Sequence, residues 1–157
     1  MGGSVFLVQD SSVSREERIK QFLDEDPSLS ALLSVIHFEW TVRRAIIALG
    51  KSPNVVIRVK LRGCQGLDGY KDLWRDEVFL NDQRNITRLS EVVKNWQGLG
   101  RAFRLRHRLV HGATSCGTEY AKERVNWAID ATNNVRHICK VEGINLDLRL
   151  PVRRSKA

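Results

Sequence analysis

No stretch of this 157-residue chain reaches the roughly 18 uninterrupted apolar residues of a membrane-crossing helix, so no membrane span is expected. Cysteine is scarce. Cys64, Cys116 and Cys139 are odd in number, scattered, and never form a Cys-x-x-Cys pair. That speaks against a disulfide frame or a zinc site and for a reducing compartment. The four histidines, His37, His107, His111 and His137, also lack metal-ligand spacing. His137 and Cys139 lie two apart on an expected helix and point to different sides, so neither a metal nor a cofactor is expected. The opening Met1-Gly2-Gly3-Ser4 lacks the basic and apolar regions of a signal peptide, and Phe6 stands where a myristoylation pattern wants Ser or Thr. Cytoplasm is the expected location, where the sequon Asn85-Ile86-Thr87 carries no meaning. Acidic residues are short relative to basic ones, 18 against 26, for a formal net charge of +8. A basic protein of ordinary hydrophobicity has acidic partners as its first expectation, nucleic acid ahead of membrane.

What is present is helical periodicity over one domain, long enough to bury a core. Residues 1–11 carry no strong pattern and read as a flexible arm; 12–144 read as the helical domain; 145–157 read as a loose basic tail carrying Arg149, Arg153, Arg154 and Lys156. Ser14-Arg15-Glu16-Glu17 is a capping box opening a helix with Ile19, Phe22 and Leu23 on its apolar face. Asp26 caps a second helix, with Pro27 at its first position and Gly50 past its end. That helix has two apolar stripes. Leu29, Leu32, Leu33, Ile36, Trp40 and Ile47 form one; Val35, Phe38, Val42, Ala45, Ile46 and Leu49 form the other. Such a helix is central, covered by its own domain or by a partner subunit.

Residues 54–62 divide the local signals. Val55, Ile57, Val59 and Leu61 alternate with Arg58, Lys60 and Arg62 as in a strand, but no second strand exists to pair with it, so the expectation is helix. Leu67, Tyr70, Leu73, Trp74 and Val78 give a fourth helix. A long one follows from about Ile86 to His111, with Leu89, Val92, Trp96, Leu99, Phe103 and Val110 as its stripe. Ala113 to Gly117 is a small-residue loop. Thr118 caps a last helix, with Val125, Ala128, Val135 and Ile138 inward and Gly143 at its end. The expected architecture is an all-α bundle of about five helices.

The long helix closes on Arg106-His107-Arg108-Leu109-Val110-His111-Gly112, and Gly112 is the residue type expected just past a helix end. Arg106 occupies the next place in the apolar register after Phe103. A guanidinium there needs a carboxylate, a bound anion or trapped water. Glu39 is a candidate partner; the simpler reading pairs it with Arg43, four residues on in its own helix. Arg106 and His111 are five apart, about 140° around a helix of 3.6 residues per turn, yet a long arginine and a histidine at a frayed end can converge. Together they suit phosphodiester cleavage. Histidine titrates near neutral pH and handles protons; arginine binds phosphate and stabilises developing charge. On RNA the adjacent 2′-hydroxyl supplies the nucleophile, and Arg101, Arg104 and Arg108 would contact the backbone. A histidine favoured by the helix dipole beside ordinary surface arginines is the structural alternative.

The heptapeptide resembles the signature of the HEPN superfamily, the R-x4–6-H ribonucleases. The polar His107 after the arginine and the small Gly112 after the histidine both fit that signature. The resemblance implies an all-α bundle with the motif late in the chain, and metal-independent RNA cleavage at a composite site between two copies of a homodimer. Arg106 and His111 would be the catalytic pair and His107 a polar auxiliary, with Glu39 held as a separate supporting hypothesis. Members often act as toxins or antiviral defence effectors, with an antitoxin or a nucleotidyltransferase as partner. In one group a tyrosine two residues past the histidine is nucleotidylated. Ala113 stands at that place here. The alternatives are a non-catalytic helical module that binds RNA or protein, and a purely structural dimerisation domain.

Overall fold

Every regular element of the described residues is helical. The computed structural model describes residues 11–112 and 115–154. The arm up to residue 10, Ala113 and Thr114 of the small-residue loop, and Lys156 lie outside them. The helices are α1 (Ser12–Glu25), α2 (Pro27–Leu49), α3 (Asn54–Arg62), α4 (Gly66–Trp74), α5 (Leu89–Val92), α6 (Trp96–Val110) and α7 (Thr118–Val141). A π-helical turn, Arg75–Phe79, continues α4. The described residues thus form seven α-helices where about five were expected.

α2 is the central helix. It packs against α1, α3, α4, the π turn, α6 and α7. Its second apolar stripe is wholly buried, whereas Leu29, Leu32, Leu33, Ile36 and Trp40 of the first are only partly covered. Asp26 caps its start by accepting from the Leu29 amide at 3.1 Å. Residues 54–62 are helical, because Ile57 and Leu61 face the core while Val55 and Val59 remain exposed.

Three expectations need correction. α1 starts earlier than the capping box suggested: Ser11, not Ser14, is the cap, accepting from the Ser14 amide at 3.2 Å. The shift buries Arg15, which donates from Nε to His37 Nδ1 at 3.1 Å. The expected long helix is two helices. Val93 is extended, and Asn95 starts α6 by accepting from the Gly98 amide at 2.9 Å. Asn134 of α7 takes up the Lys94 amide at the break, at 3.0 Å. The expected stripe also ends early, since Val110 is 63% exposed and Leu105 is buried instead.

The loose tail is the third correction. Leu146 and Leu150 are core residues. Arg44 donates to the carbonyls of Leu146 and Leu148 at 2.8 and 2.6 Å. Arg153 donates to Ile47 O at 2.6 Å and Ala48 O at 3.2 Å, carbonyls that the end of α2 leaves unpaired, and to Ser52 O of the following connection at 3.0 Å. Asn54 brackets the same segment, accepting from the Arg153 amide and donating to Pro151 O. Residues 145–154 therefore form a packed strap.

α6 and α7 pack tightly at Gly98. A Cβ built there would lie 2.8 Å from Trp127 Cδ2 and 2.5 Å from Asn95 Nδ2. Gly98→Ala is expected to cost about 1–3 kcal/mol, by pushing Trp127 and the cap apart. The shift in urea midpoint at unchanged slope measures it.

Candidate active site on α6

The amphipathic character of α6 sets out the site. Leu99, Ala102, Phe103 and Leu105 turn inward, and Phe103 meets Phe38 of α2 edge-on with ring centroids 5.9 Å apart. Arg106 follows this inward face and is left half-buried, its side chain 26% exposed. Its Nη1 lies 2.9 Å from Glu39 Oε1, and its Cζ sits 5.5 Å from the Phe103 ring centre. Glu39 is thus joined to Arg106. Arg43, its partner in the simpler reading, instead donates from Nε to the Tyr70 hydroxyl at 2.8 Å and from Nη1 to Leu61 O at 3.3 Å.

Tyr70 completes a chain that sequence reasoning did not find. Its ring is buried in the core, and its hydroxyl donates to Glu39 Oε2 at 2.6 Å while accepting from Arg43. Burial, with the hydrogen bond to Glu39 next, pushes the phenol's pKa upward, so it stays a donor. Both Glu39 oxygens are therefore occupied, one by a hydroxyl and one by one end of a guanidinium. The sequence had shown Tyr70 only as an apolar position of α4.

His111 is the C-cap residue of α6, exposed, with its amide donating to His107 O at 3.2 Å. Gly112 follows at φ +65°, the left-handed conformation that suits glycine past a helix end. The His107 and His111 rings lie one turn apart, with centroids 4.3 Å from each other. Arg106 contacts Glu39 and Phe103, whereas His111 contacts His107.

A cleft of about 720 Å³ runs along α6. Arg101, Arg104, Arg106, Arg108, Arg124 and His107 line it, and no carboxylate among the described residues does. The remaining wall comes from Gly66 and Leu67 at the start of α4, Phe103 and Val110 of α6, and Tyr120 of α7. The three arginines expected to contact RNA all border this space. Arg124 and Tyr120, the contribution of α7, were not anticipated. Among the described residues, no group of three or more His, Cys, Asp or Glu side chains is arranged to hold a metal ion, and no helix is long and apolar enough to cross a membrane. No model of a known protein family, no curated protein and no solved structure matches this chain.

Proposed function

We propose that this protein is a HEPN-type endoribonuclease, cleaving RNA without a metal at a site shared by two copies of the chain. The observation that carries the reading is the state of Arg106. One end of its guanidinium is held by Glu39, and the side chain borders a cleft lined, among the described residues, by five arginines and no carboxylate. A phosphate is the ligand that such a site balances. In this mechanism Arg106 holds the scissile phosphodiester. The 2′-oxygen attacks phosphorus, the bond to the 5′-oxygen breaks, and a 2′,3′-cyclic phosphate forms. One histidine takes the 2′-hydroxyl proton and another protonates the departing 5′-oxygen. His111 from two chains would divide these tasks, with His107 beside each. The partly open stripe of Leu29, Leu32, Ile36 and Trp40 on α2 supports a second copy as the covering partner. The setting we infer is cytoplasmic, as a toxin or defence effector under the control of an antitoxin or nucleotidyltransferase. Ala113 speaks against nucleotidylation at its own position.

The test is incubation of purified protein with end-labelled single-stranded RNA in EDTA, with His111→Ala alongside. Cutting by the wild type alone supports the reading; an intact RNA pool with the wild type overturns it. A non-catalytic RNA-binding module is the second reading, favoured by the arginines that one chain already assembles on one surface. It predicts salt-sensitive retention of RNA without turnover.

Tyr70→Phe keeps the buried ring but removes the donor to Glu39 Oε2. We expect cleavage to fall about 10-fold, the effect of losing one hydrogen bond to a charged group. The loss should appear in kcat rather than KM, because Arg106 keeps its charge and loses only its fixed orientation. Single-turnover kinetics at saturating RNA measures it.

A further inference from the structure

The arginines of the cleft are held by aromatic rings more than by carboxylates. Tyr120, Arg124 and Trp127 lie four and then three residues apart, on the side of α7 that faces α6. Arg124 Cζ is 3.4 Å from the Tyr120 ring centre and 5.5 Å from that of Trp127. Arg101 of α6 lies 5.8 Å from the same Trp127 ring, and Arg108 donates from Nη2 to the Tyr120 hydroxyl at 2.9 Å. Cation and ring therefore alternate as Arg101, Trp127, Arg124, Tyr120 and Arg108, all but Trp127 lining the cleft.

The chemistry of that arrangement is specific. A carboxylate would fix an arginine by cancelling its charge, whereas an aromatic face attracts the cation and leaves its N–H edge available. Among the described residues Glu123 is the carboxylate that touches the series, 3.0 Å from Arg124 Nη1; its side chain is 56% exposed and that of Arg124, at the cleft wall, 11%. Arg124 Nε is buried without a hydrogen-bond partner among the described residues. Tyr120 is 42% exposed, which leaves ring surface for a further stacking partner.

We propose that this series is a binding track for single-stranded RNA, in which Arg101, Arg108 and Arg124 take successive phosphates and Tyr120 stacks a base. It rests on the reading of the cleft as an RNA site and adds α7 to that site. A single strand is the fitting ligand because its bases can turn a face to Tyr120, which a duplex hides within its own stack. The track lies within one chain and requires no partner copy.

The experiment is fluorescence anisotropy with a labelled single-stranded RNA 12-mer and its duplex, titrated at several salt concentrations. The full-length wild type, Tyr120→Leu and Arg124→Gln are compared, with thermal melting of each as the fold control. The expected result is preference of the wild type for the single strand and about fivefold or greater weakening in Tyr120→Leu, for one lost stacking contact. The slope of log K against log salt should fall by about 0.7 in Arg124→Gln, for one lost phosphate contact to a single strand. Should Arg124→Gln fail to fold, the exposed Tyr120→Leu carries the test. Equal affinity for duplex, no RNA binding by the wild type, or folded variants that bind like the wild type would each overturn the track. Binding with these responses but no cleavage would sustain the track and defeat the nuclease reading. Cleavage with unresponsive variants would do the reverse. A ladder serving only to join α6 to α7 would lower the melting temperature and leave the salt slope unchanged.

Discussion

His111→Ala is expected to reduce RNA cleavage by about 10²–10⁴-fold, the range for losing a general acid or base, with little change in melting temperature. His111 is exposed at the end of α6, so removing its ring opens no cavity. Arg106→Ala should cost about 10²–10³-fold, as for losing a transition-state charge donor. It should also cost some stability, since Glu39 loses its cation. Arg106→Lys is the more telling variant. An ammonium can meet Glu39, but it has no planar fork to hold a phosphate at the same time. Stability should therefore return in Arg106→Lys while activity does not. Initial rates with fluorogenic RNA, read beside melting curves, separate the two effects. If Arg106→Ala or His111→Ala cuts at the wild-type rate, the catalytic assignment is wrong.

The second large effect is acid instability from His37. This residue is fully buried on α2, accepting at Nδ1 from Arg15 and leaving Nε2 without a partner among the described residues. Burial first, and then the positive charges of Arg15 and Arg136, lower its pKa from 6.5 to about 3. The folded state thus refuses a proton that the unfolded chain accepts. The contribution of neutral His37 is fully present above about pH 6.5 and is lost as pH falls from there toward 3, at up to about 1.4 kcal/mol per pH unit. Between roughly pH 6.5 and 4.5 the protein should lose about 2 kcal/mol. Urea melts across that window measure it. His37→Gln, whose amide oxygen can still accept from Arg15, should flatten the dependence. A wild-type midpoint that holds steady down to pH 4.5 would count against this account of the buried pair.

The sequence made the helices legible because their apolar periods are strong, above all in α2, where both stripes and both end signals were readable. It failed where one side chain decides a boundary. Asn95 turns the end of a continuous apolar register into the start of α6, and the extended Val93 has no signature of its own. Ser11 takes the capping role from Ser14 because the position upstream also offers a hydroxyl. The strap was hidden by composition. Arg153 reads as a surface cation in a basic tail, yet it serves as a donor to the end of a helix 105 and 106 residues earlier, and local sequence carries no trace of such a contact. At the site, Arg106 stood out because a charge in an apolar register demands a partner, and Glu39 was the carboxylate available on the central helix. Tyr70 was invisible for the opposite reason: a tyrosine at a core position fits apolar packing, and only the fold shows where its hydroxyl lands. Tyr120 and Arg124 gave no signal because they belong to the site through the packing of α7 on α6.

That packing has a consequence during synthesis. α2 buries much of its surface against α7, a helix that leaves the ribosome some seventy residues later. Until then the nascent chain carries an α2 whose apolar α7-facing side is uncovered, the kind of surface that recruits chaperones. Arg106 is made before its cleft has a second wall, and the strap that closes the end of α2 emerges after α7. On the proposed nuclease reading, the site would stay incomplete beside the message and ribosome that produce it until α7 has emerged.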